Sequence, residues 1–106
     1  MRTYRVEDFI NGWVYGNFFP SIYPSLDTEV GILNFRAGES GEKHLHSKSI
    51  EINVIVSGKM ESNGQILSSG DIFVFHPFDI SDTKFIEDTV LVCIKTPSNM
   101  KDKVLV

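Results

Sequence analysis

The sequence predicts an all-β jelly roll on three observations: short apolar runs of strand length, turn residues spaced between them, and no sustained helical stripe. Between residues 28 and 95 the runs hold roughly four to eight residues rich in Val, Ile and Phe, parted by Gly, Ser, Asn and Asp. They fall at 29–36, 50–56, 58–62, 65–67, 71–76, 82–86 and 89–95, and these strands are enough for a jelly-roll barrel.

The turns agree with the periodicity. Asn63-Gly64 lies between two short runs and supplies the positive φ angles of a tight type I′ hairpin. Ser69-Gly70-Asp71 marks the next reversal, where Asp71 is expected to cap local N–H groups, not to act as an acid. Pro77 ends the 71–76 run, where its missing N–H costs the ladder nothing if the chain turns there. Residues 78–81 are the loop that follows.

Upstream, 6–10 can make one helical turn, and no stretch of about a dozen residues carries an apolar stripe at helical spacing. Residues 11–25, with Trp13, Tyr15, Phe18, Phe19 and Tyr23 and breaks at Gly16, Pro20 and Pro24, read as a short N-terminal arm. Its aromatics either lie over one face of the barrel or form a dimer interface. Residues 1–106 are read as one domain with the barrel core at about 28–96.

Composition bounds the function. Fourteen acidic against ten basic residues, with the basic ones scattered, leave no electrostatic footprint for nucleic acid. The sole cysteine, Cys93, sits in the apolar run 90–94 and reads as a small buried thiol. Charges interleaved through 1–10 exclude a secretory leader there, and no apolar run is long enough to span a bilayer, so a cytoplasmic protein without membrane partners is the expectation.

The chemistry concentrates at His44-Leu45-His46. Residues two apart on an extended chain face the same side, so the two imidazoles stand together. After a reversal at 47–49, Glu51 can face them from the neighbouring strand, giving a plausible site for a divalent transition metal. Asn53 and Ile55 share the parity of Glu51 and are expected to line the same ligand pocket, with Asn53 able to anchor a polar ligand. Asn34 and Arg36 share a parity of their own; an inward Arg36 would suit an anionic substituent, against the plainer reading of a solvated side chain.

Gly38, five residues, His44-x-His46, four residues, Glu51, six residues and Gly58 together resemble the first motif of the cupin superfamily at every fixed position. Residues 70–77, Gly-Asp-Ile-Phe-Val-Phe-His-Pro, resemble the opening of the second. The resemblance implies a double-stranded β-helix in which His44, His46 and Glu51 bind a metal (Zn, Fe, Mn or Ni) with a histidine from the second motif. This sequence departs there: His76 stands where Pro is usual, Phe78 where Gly is usual, and Ser81 where the fourth ligand belongs. A four-residue loop at 77–80 would set His76 opposite Ser81, so His76 is expected to replace the missing ligand from across the hairpin.

The stretches 84–89 and 95–98 are similar to small cupins that accompany surface-polysaccharide or nucleotide-sugar genes, which implies a sugar-like ligand. Two function classes follow: a metal-dependent enzyme on a small polar molecule, and a non-catalytic small-molecule-binding or accessory protein, toward which the Ser81 departure pulls. A homodimer is expected from the aromatic arm and from strands apolar on both faces, such as 71–76.

Overall fold

Alternating side chains and turn chemistry decide where the strands of this chain begin and end. The computed structural model describes residues 1–106 and contains ten strands: β1 (Trp13–Tyr15), β2 (Glu29–Phe35), β3 (His44–His46), β4 (Ile50–Ser57), β5 (Lys59–Ser62), β6 (Gln65–Ser68), β7 (Ile72–Phe75), β8 (Thr83–Phe85), β9 (Thr89–Thr96) and β10 (Lys103–Leu105). One 3₁₀ turn, Val6–Asp8, falls where the sequence allows a single turn. Asn63 at φ 51° and Gly64 at φ 80° close the β5–β6 hairpin with Ser62 opposite Gln65, the two-residue turn that Asn-Gly predicts. Asp71 is the turn residue it was expected to be: its carboxylate accepts the Ser68 N–H at 2.8 Å.

Five strands pair antiparallel in the order β1-β2-β9-β4-β7. Facing them is a second layer in two pieces, β10-β3 and β6-β5-β8. Backbone bonds between residues 38–44 and 81–85 stitch the pieces together, among them Gly41 N–H to the Thr83 carbonyl at 3.0 Å and Ser81 N–H to the His44 carbonyl at 2.7 Å.

No ladder joins the five-stranded sheet to this second layer, so the sheets are not closed into the barrel that the sequence predicts. The reason lies at the sheet edges. Three-residue β1 has a register shift between Trp13 and Tyr15 and, beyond its ladder with β2, takes only loop bonds such as Ile22 N–H to the Val14 carbonyl. Past β7 the contact with the second layer is a backbone bond, Phe78 N–H to the His46 carbonyl, instead of a ladder. Within 11–25, Trp13–Tyr15 is an edge strand, and Phe19 and Tyr23 are exposed instead of covering a sheet face.

The core lies between the layers at one end. Ile55, Met60, Leu67, Phe85 and Leu91 are buried together, with Leu33, Phe35 and Phe73 against them, and the Phe35 and Phe85 rings stack at 4.1 Å. Each such side chain contributes about 1.5–3 kcal/mol through burial. The outer face of the five-stranded sheet is apolar too: Ile52 stands between Val74 and Ile94, and Val54 between Ile72 and Val92. No helix is long and apolar enough to cross a membrane.

Candidate metal centre and its cavity

Strand register arranges the inner face of the large sheet in rows. Glu29, Lys95, Glu51 and Phe75 stand opposite one another across β2, β9, β4 and β7. The next row is Gly31, Cys93, Asn53 and Phe73, and the third is Leu33, Leu91 and Ile55. Polarity therefore falls away along the strands, from a charged row to the apolar core. Trp13 lies over Gly31, where an added Cβ would meet the indole at 2.8 Å, so its ring fills the place of the missing side chain.

Between the layers is a cavity of about 460 Å³ whose lining includes His44, His46, Glu51, Asn53, Ser81 and Lys95. His44 and His46 both reach it from β3, as their two-residue spacing predicts. Glu51 does not face them from a neighbouring strand, however. β3 pairs with β10 in the opposite layer, and Glu51 meets the histidines across the cavity, with Oε1 3.4 Å from His46 Nε2. The donor atoms of His44, His46 and Glu51 all lie within 4.8 Å of one another, a group able to hold a metal ion.

The bonds around this group fix which atoms are free. His44 Nδ1 lies 2.6 Å from the Glu42 carbonyl, which can only accept, so Nδ1 carries the proton and Nε2 keeps its lone pair. His46 Nδ1 donates to Asp102 Oδ1 at 2.9 Å, which leaves Nε2 directed at Glu51. Glu51 Oε2 accepts from Asn53 Nδ2 at 3.0 Å. Carboxylate partners behind ligating histidines recur in metal sites because they set tautomer and ring orientation.

Electrostatics follow from the same contacts. The Glu51 hydrogen bond, aided by Asp102 and opposed by burial, raises the His46 pKa above its ordinary value. Burial works against ionisation of Glu51, but hydrogen bonds from His46 and Asn53 outweigh it and hold that carboxyl below the usual range. Burial likewise opposes ionisation of Asp102, yet bonds from His46 and the Ser49 backbone hold it down at about 2. The Cys93 thiol is pushed far up by burial, which keeps it an inert side chain of the wall.

The structure does not bring His76 to the cluster. Phe73 and Phe75 are the inward residues of β7, so His76 follows the outward parity of Ile72 and Val74, and its side chain is 69% exposed. Ser81 instead pairs with His44, exchanging backbone bonds of 3.2 and 2.7 Å, and faces the cavity. The second-motif position is thus next to the histidines but carries a hydroxyl. Asn53 lines the cavity, whereas Ile55, inward like Glu51, is 1% exposed in the core beyond it and does not line it. Asn34 and Arg36 are exposed.

Sequence reasoning missed three residues. Glu29 and Lys95 carried a readable signal, a charge at an inward position of an otherwise apolar alternation. Asp102 carried none: it lies 56 residues from His46 in the tail, and only the β10–β3 pairing brings it back.

The structure is thus a two-layered β fold with two histidines and a glutamate gathered at its polar end. No family model matches the sequence, and no curated protein matches it. Solved structures do match the fold. An uncharacterized conserved protein with a double-stranded β-helix domain from Klebsiella pneumoniae subsp. pneumoniae MGH 78578 is 20% identical, over 99% of this chain and 91% of its own, at a TM-score of 0.78. KdgF from Halomonas sp. is 25% identical over 72% and 74% of the two chains at 0.65. An RmlC-like cupin from Shewanella frigidimarina NCIMB 400 is 19% identical over 71% and 70% at 0.64. The chain has the cupin fold.

Proposed function

We propose that this cupin holds one divalent transition metal through His44, His46 and Glu51 and uses the site to bind and act on a small polar molecule. The observation that carries this reading is the convergence of the three donor groups within 4.8 Å at the polar end of the cavity, with both histidine Nδ1 atoms already engaged. Two imidazoles and one carboxylate suit Zn, Fe, Mn or Ni better than the hard cations that take oxygen alone. Three protein ligands are the number found where a site also takes up substrate. When bound, such an ion supplies Lewis acidity toward an oxygen of the ligand.

The chain's own residues divide the remaining work. Asp102 orients His46, Asn53 holds the Glu51 carboxylate, and Ser81 offers a hydroxyl beside His44. A cavity of about 460 Å³ lies low in the range of small-molecule pockets, roughly 300–1000 Å³, and favours a compact ligand, up to a sugar, over a whole nucleotide-sugar. The test is elemental analysis of the purified wild type and of the His44→Ala/His46→Ala double variant. About one equivalent against none is expected; equal content would contradict the site.

Ser81 favours a second reading, a non-catalytic binding protein, because it leaves the cluster without the usual fourth ligand. That reading expects a bound ligand to be recovered unchanged after incubation with metal-loaded protein. Homodimerisation completes the proposal: the apolar outer face of the large sheet, with Ile72 and Val74 exposed at its edge, fits a second copy of the chain. Light scattering at high micromolar concentration should give twice the chain mass, and a monomer there would refute it.

A further inference from the structure

Lys95 is the buried cation of the cavity, and the metal-site reading leaves it unused. Its side chain is 9% exposed, and its ammonium carries three N–H donors. None meets an acceptor at hydrogen-bond distance: the nearest carboxylate oxygen, Glu29 Oε1, is 3.7 Å away and accepts the Asn99 N–H at 3.2 Å. The other neighbour is the Trp13 ring, whose centroid lies 5.1 Å from Nζ and offers a π face but no lone pair. The ammonium lines the cavity, so its N–H donors are free to meet a ligand oxygen there.

We infer that Lys95 forms a carboxylate-binding subsite beside the metal centre, so that the ligand is a short-chain carboxylic acid with a second oxygen donor: a 2-hydroxy acid, a 2-oxo acid or a dicarboxylate. The inference rests on the metal reading of the same cavity and names its ligand class. Lys95 stands directly opposite Glu51 across β9 and β4, and directly opposite Glu29 across β9 and β2. Opposed Cβ atoms are about 4.5–5.5 Å apart, a span that one short acid can bridge. Charge points the same way. The row Glu29, Lys95, Glu51 is net negative alone and becomes net positive with a divalent cation on Glu51, so cation and anion binding should reinforce each other.

Calorimetric titration with malonate, and with uncharged malonamide as control, tests the subsite. The proteins are metal-loaded wild type, Lys95→Met, and the Glu29→Gln/Lys95→Met double variant, which leaves no buried carboxylate unpaired if the single variant folds poorly. Metal content is measured on each. Malonate should bind both variants at least about tenfold more weakly than wild type, the loss expected for a charge-assisted bond, with metal content unchanged and malonamide indifferent. Equal malonate affinity at equal metal content would overturn the subsite while leaving the metal centre standing. If the wild type holds no metal, the metal reading fails separately, and the same titration on the metal-free chain decides: Lys95-dependent binding supports the subsite, and its absence overturns it.

Discussion

The two ends of the interior are built from the same three strands and could hardly differ more in chemistry. At one end β2, β9 and β4 present Glu29, Lys95 and Glu51; four residues along each strand they present Leu33, Leu91 and Ile55. The apolar end gains stability from burial alone, whatever the details of its side-chain chemistry. Buried carboxylates at the polar end are tolerable only where each has a partner, and the Asn99 N–H on Glu29, the Glu51 bonds to His46 and Asn53, and the Asp102 bonds meet that condition. One ladder thus fixes two regions with separate tasks, and substitutions should separate them.

Glu51→Ala should have the largest effect on the site, removing bound metal altogether in elemental analysis. At the other end Ile55→Ala should lower stability by about 2–5 kcal/mol in denaturant unfolding while metal stoichiometry stays the same. Loss of metal from Ile55→Ala in folded protein would show that the two ends are not independent.

Asp102→Asn probes the support behind His46 at the polar end and should weaken metal affinity about 10–100-fold in a chelator competition. The sign of its pH effect on the metal-free protein follows from a folded pKa of about 2 against an ordinary value of 3.8. The carboxylate's contribution is full above the higher value and is lost as pH falls through the lower one. Wild type should therefore exceed Asp102→Asn by about 2 kcal/mol near neutral pH, with the gap closing between about pH 4 and pH 2. His76→Ala should have the smallest effect of the series, leaving metal affinity unchanged, because the side chain lies outside the cavity.

Much of this was legible in the sequence. The seven apolar runs match β2 and β4 through β9 to within one residue at each end, because alternation and turn residues are local signals. The parity of His44, His46, Glu51 and Asn53 was legible for the same reason. β10 was not: all three of its residues are exposed, and it is a strand only because β3 pairs with it. Asp102 was hidden with it. His76 shows the opposite failure, since the alternation through Phe73 and Phe75 already placed it outward, and an assumed hairpin across 77–80 overrode that count. Barrel closure was beyond local signals, because it depends on pairing at the edges of β1 and β7.

The central claim is that the polar end holds a metal through two histidines and a carboxylate. X-ray absorption spectroscopy of the zinc-loaded protein tests it most directly. Two imidazole nitrogens at about 2.0–2.1 Å, with oxygen completing the shell, are expected. A shell with a third imidazole would return His76 to the site, and a shell with sulfur or without imidazole would contradict the account.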